Sequence, residues 1–223
     1  EMILDAVQKG CRKFIIGIGG SATTEGGIGM LSALGYDFMD ENGDRLSPVF
    51  DSLEKVVQIK NNRVPEVLKD CHFQIACDVT NPLCGARGCV YVFGAQKGVK
   101  EEEKESMDRA MQSYAACLEK FTGKKLSEIP GTGAAGGLGF AFLWGLPNVE
   151  LKPGIDIVLE AVGLTNELKD ADVVVTGEGC LDFQTAMGKV PVGVAKTAKN
   201  YNCKVIAFAG SVTEEAIKCN EKG

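Results

Sequence analysis

The feature that most constrains this chain is a glycine-rich segment that directly follows a run of apolar residues. Residues 14–29 read FIIGIGGSATTEGGIG, so β-branched and aromatic side chains precede a loop of glycine, serine and threonine. Glycine lets a backbone turn tightly or lets another group approach it closely. Backbone amides and hydroxyl groups in such a loop can hold an anion, above all a phosphate. The segment predicts a strand and then an anion-binding loop, whose candidate residues are Gly19, Gly20, Ser21 and Thr23.

Composition narrows the classes of protein and partner. The chain has 223 residues, 45% of them hydrophobic, which is enough for one large domain or two smaller ones. A net charge of -6 with scattered Lys and Arg argues against a nucleic-acid partner. No apolar stretch approaches the roughly 18 to 20 residues that span a bilayer, so we expect no membrane partner. The nine cysteines lack zinc or disulfide spacing, and reduced thiols predict a cytoplasmic protein.

Hydrophobic periodicity alternates between strand and helix along the chain, which predicts the α/β class. Predicted strands lie at 13–18, 72–77, 172–176 and 204–209, and predicted helices at 27–34, 99–121, 137–146, 155–162 and 191–201. Residues 83–98 fit either state. The last two strands and the helix between them predict a βαβ unit with parallel strands. A second glycine cluster, at 131–139, indicates either a binding loop or close packing of small residues.

A second candidate site follows the strand at 172–176. Ligands bind outside the carboxyl ends of parallel strands, and the connection 177–189, GEGCLDFQTAMGK, is long enough to be functional. Its carboxylates, Glu178 and Asp182, could hold Mg²⁺ or accept a hydroxyl proton, and Lys189 could contact a phosphate oxygen. The alternative is that all three are solvated surface charges. Further candidate binding residues at strand ends are Gly177, Gln184 and Asp78.

The first loop also matches a dinucleotide-binding pattern. Gly17 to Ala22 follow G-x-G-x-x-A after a strand, and Asp37 lies about twenty residues further on. This pattern favours an NAD(P)-dependent dehydrogenase. The extra Gly20 and the polar run that follows it lengthen the loop before any helix, which weakens that interpretation. A non-catalytic binding module is a third hypothesis.

Five segments of the chain together carry a family resemblance. They are IGIGGSATTEGGIGML (16–31), ACDVTNPLCGARGCVYVFGAQKG (76–98), GTGAAGGLGFAF (131–142), PGIDIVLEAVGL (153–164) and DVVVTGEGCLDFQTAMGKVPVGVAKTAK (172–199). In this order they strongly resemble the bacterial glycerate kinase family, type I. The family's N-terminal and C-terminal segments have no counterpart here, so we expect this chain to be a fragment.

The resemblance implies a fold of two α/β domains, in which a flavodoxin-like (Rossmann-like) parallel-sheet domain carries a second α/β domain inserted in it. Residues 1–164 would form the inserted domain with the glycine-rich loops, and 165–223 part of the flavodoxin-like βαβ domain. The implied enzyme is an ATP-dependent kinase of organic acid metabolism. It would phosphorylate D-glycerate, a small-molecule substrate, to 2-phosphoglycerate with Mg²⁺, and it is compatible with a homo-oligomer.

The resemblance also suggests roles for the candidate residues. Glu178 and Asp182 would hold the metal and, with Lys189, act in catalysis. Gly19, Gly20 and Ser21 would supply anion-binding amides and a hydroxyl. We expect the substrate to lie nearer to residues 177–189.

Overall fold

The computed structural model describes residues 1–186 and 188–219, without the side chain of Gln184. It confirms the α/β class, because both of its parallel sheets are accompanied by helices. The chain divides into two units, the first being Glu1–Pro153 and the second beginning at Gly154. This division falls earlier in the chain than the boundary expected after residue 164.

The first unit contains a parallel sheet and a short antiparallel pair. Its strands are Lys13–Gly17 (β1), Asp37–Met39 (β2), Gln58–Lys60 (β3), His72–Ala76 (β4) and Val149–Lys152 (β5). Its helices are Met2–Gln8 (α1), Ile28–Leu34 (α2), Cys89–Phe93 (α3), Lys104–Thr122 (α4) and Ala134–Gly145 (α5). The parallel sheet has the order β1-β4-β5, and β2 pairs with β3.

Local sequence explains most of these elements. The helices α2 and α4 end at Gly35 (φ 110°) and Gly123 (φ 72°), which take the left-handed conformation typical of a helix end. On α4, the fully buried Met111, Tyr114 and Leu118 recur at helical spacing and pack in the core of the unit. The amphipathic pattern therefore predicted both this helix and the face that it buries.

In this unit the structure resolves one ambiguous segment, corrects one helix boundary and adds one strand. The segment 83–98 forms α3 and then a 3₁₀ turn at Ala95–Lys97. The long helix α4 begins at Lys104 rather than at residue 99, because Glu101–Glu103 form a separate 3₁₀ turn. The strand β5 was not predicted, because its sequence, VELK, alternates with charged residues and is only four residues long.

The second unit is built on one βαβ crossover. Its strands are Val173–Leu181 (β6) and Lys204–Val212 (β7), and its helices are Gly154–Ala161 (α6), Leu164–Glu167 (α7), Phe183–Ala186 (α8) and Val190–Lys199 (α9). The two strands pair in parallel, as predicted. The first strand is longer than predicted, because residues 177–181 continue to pair with β7 as far as Val212. Glycines 177 and 179 interrupt the apolar run but leave the backbone free to bond.

No helix within residues 1–186 and 188–219 is both long and apolar enough to cross a membrane.

Two glycine-rich segments of the first unit pack backbone to backbone. The loop after β1 meets the segment that opens α5, where the Gly26 amide donates to the Gly136 carbonyl at 2.9 Å. A Cβ on Gly137 would lie 2.7 Å from the Cα of Gly26, and one on Gly27 would overlap the Cβ of Ala141. Close packing therefore accounts for the small residues of this part of the 131–139 cluster.

We expect Gly27→Ala to destabilise the protein more than Gly43→Ala does. Both glycines have positive φ, 73° and 82°, so each substitution costs about 1–2 kcal/mol of backbone strain. Of the two, Gly27 also has a neighbour in the way, whereas no atom of the described residues beyond its chain neighbours lies within 4 Å of a Cβ at Gly43. Overpacking adds about 1–3 kcal/mol at Gly27. Urea unfolding measures both losses, and equal losses would contradict the close approach.

Candidate active site

The first group of candidate residues lies at the carboxyl ends of two neighbouring parallel strands, β1 and β4. In the β1-β4 pair, Gly17 lies opposite Ala76, so the loops that leave the two strands start side by side. Gly19, Gly20 and Ser21 follow β1, and Asp78 follows β4. All four line one cavity of about 410 Å³, together with the start of α5. Topology brings these residues together although they lie far apart in the sequence.

The two halves of the glycine-rich loop differ in what surrounds them. Gly19 and Gly20 line the cavity, and none of the residues that the structure describes comes within 4 Å of a Cβ built on either, their chain neighbours aside. Gly26 and Gly27 are buried, and a Cβ on Gly26 would lie 2.8 Å from the ring of Tyr114. The first half can therefore present its backbone to a ligand, whereas the second half holds the loop on the core.

Lys97 enters this cavity from the 3₁₀ turn after α3. Its Nζ donates to the Ser21 Oγ at 2.9 Å and to the Thr23 carbonyl at 2.7 Å. Thr23, one of the candidate residues, thus takes part through its backbone oxygen and is otherwise exposed. Burial lowers the pKa of Lys97, although the nearby Cys89 and Glu25 oppose this effect. From the sequence, Lys97 could bind a carboxylate or a phosphate, but a surface position is the default for a lysine in a segment such as AQKG, so it is not among the selected candidates.

The carboxylate of Glu25 occupies the start of α2. It accepts hydrogen bonds from the amides of Gly27 at 3.1 Å and Gly29 at 2.8 Å. Burial raises the pKa of this carboxyl, and the two amides partly offset that rise. Two of the amides that this helix start could offer to an anion are therefore already bound by the protein itself.

This arrangement contradicts the dinucleotide interpretation of Gly17 to Ala22. A pyrophosphate on that fingerprint needs the helix amides that Glu25 occupies. The acidic residue expected on the ribose, Asp37, accepts two hydrogen bonds from Arg63, at 3.0 and 2.6 Å. That pairing lowers the pKa of Asp37. The chain therefore matches the dinucleotide-binding sequence pattern but does not offer the helix amides and the acidic side chain that would bind a dinucleotide.

The second group of candidate residues lies in the second unit, around a buried threonine. Glu178 is on β6 itself rather than in a loop, and Asp182 follows the end of that strand. The hydroxyl of Thr185, which is fully buried, donates to the Glu178 carboxylate. Asp182 accepts the Thr185 amide at 3.0 Å, and its own amide donates to the Thr185 hydroxyl at 3.2 Å. Thr185, which sequence reasoning did not select, therefore holds the two carboxylates in one turn.

The negative charges of Glu178 and Asp182 also affect Cys219, the last residue that the structure describes. Burial raises the pKa of the Cys219 thiol, and the charges of Glu178 and Asp182 raise it further. Within residues 1–186 and 188–219, no three or more His, Cys, Asp or Glu side chains form a group that could hold a metal alone. The oxygen atoms of Glu178, Asp182 and Thr185 are instead a partial set of the kind that Mg²⁺ accepts.

The remaining candidates of the second unit have simpler surroundings. Close packing explains why residue 177 is a glycine, because a Cβ there would lie 2.5 Å from the Phe208 carbonyl oxygen. Lys189 is exposed at the start of α9, where its carbonyl accepts the Gly193 amide. The side chain of Gln184 lies outside the described part of the structure.

Comparison with known proteins gives one consistent result. A family profile described as "Glycerate kinase family" matches residues 1–223. A glycerate kinase of Haemophilus influenzae is 45% identical over 215 residues, covering 96% of this chain and 57% of that protein. A glycerate 2-kinase of Escherichia coli is 43% identical over 223 residues, covering 100% of this chain and 58% of that protein.

A solved structure agrees with these sequence matches. It is described as a glycerate kinase 2 of Salmonella typhimurium and superposes on this chain with a TM-score of 0.86 at 38% sequence identity. The match covers 99% of this chain and 64% of the chain in that structure. The chain thus spans less than two thirds of the length of these relatives. Since the family profile matches from the first residue to the last, the chain belongs to the glycerate kinase family.

Proposed function

We propose that the protein carrying this chain is an ATP-dependent glycerate kinase that transfers the γ-phosphoryl group of ATP to D-glycerate. The observation that carries this proposal is the family match over residues 1–223. The 2-hydroxyl is the proposed acceptor, because the Escherichia coli relative is named a glycerate 2-kinase. The product is then 2-phosphoglycerate.

Phosphoryl transfer asks a protein chiefly for positioning and for neutralisation of charge. In this proposal, Glu178 and Asp182 hold Mg²⁺ through carboxylate oxygens while substrate phosphates complete its coordination, as is common for this ion. Bound Mg²⁺ supplies charge neutralisation on the phosphate oxygens. Thr185 keeps both carboxylates in place, because its hydroxyl donates to Glu178 and its backbone amide donates to Asp182.

The same carboxylates are the proposed proton acceptors. A general base must lie within hydrogen-bond reach of the hydroxyl that it deprotonates. Ligands bind outside the carboxyl ends of parallel strands, and Asp182 lies directly after the carboxyl end of β6. Lys189 is proposed to contact a phosphate oxygen from the start of α9. Gly177 and Gln184 complete the proposed binding residues of the second unit.

In the first unit, Gly19, Gly20 and Ser21 are proposed to bind an anionic group, with Thr23 and Asp78 beside them. Their support is the shared cavity at the ends of β1 and β4. The assignment of residues 1–164 to an inserted domain and of 165–223 to a flavodoxin-like domain also remains a proposal. A cytoplasmic location and self-association stay predictions of the sequence.

We expect the purified protein, at its natural length, to form ADP only when D-glycerate and Mg²⁺ are both present. The product should be consumed directly by enolase without a mutase, because enolase acts on 2-phosphoglycerate. Coupled absorbance at the enolase step measures this. ADP formation that ignores D-glycerate would contradict the activity, and a product that needs a mutase would contradict the 2-hydroxyl.

We expect Asp182→Asn and Glu178→Gln each to lower kcat by about 100-fold or more, the usual loss when a general base or a metal ligand is neutralised. Both amides keep an oxygen that can accept the Thr185 bonds, so the turn at 182–185 should survive, as thermal melting would verify. Asp170→Asn, at an exposed carboxylate of the same unit, is the matched control and should keep the parent kcat. Wild-type kcat in both site variants would remove these carboxylates from the mechanism.

A further inference from the structure

The cavity at the ends of β1 and β4 contains a cation to which the proposed reaction has given no role. Within the described residues, the charged side chains that line it are Asp78 and Lys97. The other lining residues are uncharged and include the amide side chain of Gln96, the thiol of Cys77 and the hydroxyl of Ser21. An ammonium group in a partly buried cavity needs an explanation, because removing charge from water costs free energy unless an opposite charge compensates for it.

The backbone delivers Lys97 to this position by a tight turn. A Cβ on Gly94 would overlap the Val90 carbonyl, so the chain packs closely where α3 ends. The 3₁₀ turn Ala95–Lys97 then stops at Gly98, which has a φ of 91°. The turn carries the side chain of Lys97 across to the loop after β1, where it meets Ser21 and Thr23.

The bonds that Lys97 makes inside the protein do not neutralise it. A lysine ammonium has three donors, and the Ser21 hydroxyl and the Thr23 carbonyl, both uncharged, accept from two of them. Among residues 1–186 and 188–219, no carboxylate oxygen lies within ion-pair distance of its Nζ. Glu25 attracts it only from further away. The ammonium thus keeps both a donor and a net charge for a group that enters the cavity.

We propose that Lys97 binds an anionic group of a ligand, a phosphate or a carboxylate, and holds it against the backbone of Gly19 and Gly20. The open space at these two glycines is where that group fits, because no side chain in the described part of the chain fills it. The inference rests on the proposed kinase function for the identity of the two anions, which are the phosphates of the nucleotide and the carboxylate of glycerate.

Asp78 in the same cavity restricts the ligand further. A carboxylate beside a bound anion is unfavourable unless a hydroxyl group or a cation lies between them. A ligand that combines its anionic group with hydroxyl groups, as glycerate does, or with a bound cation, as a magnesium nucleotide does, suits a cavity that also contains Asp78. Separate binding measurements for the two ligands distinguish these sources.

The test is calorimetric titration of the protein, at its natural length, with D-glycerate and with ADP plus Mg²⁺. We expect Lys97→Met to weaken one of the two ligands by about 10- to 100-fold, the range for a lost hydrogen bond to a charged group, and to leave the other within about twofold. Lys97→Gln should show the same selective loss, because it keeps a donor for the loop but not the charge. Lys124→Met, at an exposed lysine of the same unit, should change neither affinity.

A purely structural role for Lys97 predicts a different result. If the side chain only tied the loop together, its removal would lower Tm and weaken both ligands alike, and Lys97→Gln would restore both. That result, or unchanged affinities, would overturn the proposal. If Lys97→Met does not fold, the same criteria apply to Lys97→Gln.

The two proposals can fail independently. A protein that does not phosphorylate D-glycerate but loses ADP affinity in the Lys97 variants would refute the kinase function and support the anion pocket. A protein that phosphorylates D-glycerate with unchanged affinities in the Lys97 variants would support the kinase function and refute the pocket.

Discussion

The close approach of two backbones, the loop after β1 and the segment that opens α5, is the constraint on which the first unit depends. The Gly26 amide bonds to the Gly136 carbonyl, and a Cβ on Gly136 would overlap the Thr23 carbonyl. Beside them Ala135, which lines the cavity, takes a left-handed φ of 54° at a cost of about 1–2 kcal/mol for a residue other than glycine. The packing orients the Thr23 carbonyl toward Lys97 and leaves Gly19 and Gly20 open.

The second unit relies on a different kind of interaction. The fully buried hydroxyl of Thr185 donates to the carboxylate of Glu178 on β6, and the Thr185 amide donates to the carboxylate of Asp182 in the turn that follows. Leaving such a hydroxyl unpaired would cost about 1–3 kcal/mol, so burial of Thr185 favours the arrangement that holds Glu178 and Asp182 together. The protein's own hydrogen bonds thus position the carboxylates, as the proposed role in phosphoryl transfer would require.

Much of the fold was predictable because local rules govern it. Gly35 and Gly123 end their helices as their positions indicated, and the apolar spacing of α4 matched its buried face. The parallel βαβ crossover also followed from the chain, since two apolar strands and a connecting helix allow few other arrangements. What local rules missed was β5 and the second half of β6, where charged residues and glycines hide strands that are defined by their partners.

The candidate site shows the same division. By itself, the sequence determined the family, the loop that can present bare backbone, and the pair of carboxylates near the end of β6. Only the tertiary structure decided that Asp78 shares a cavity with Gly19, that Glu25 occupies amides at the start of α2, and that Lys97 and Thr185 contact the candidate residues. These facts depend on contacts between residues far apart in the chain or on which way a side chain turns. Periodicity and motif spacing record neither, because they describe each segment without its neighbours.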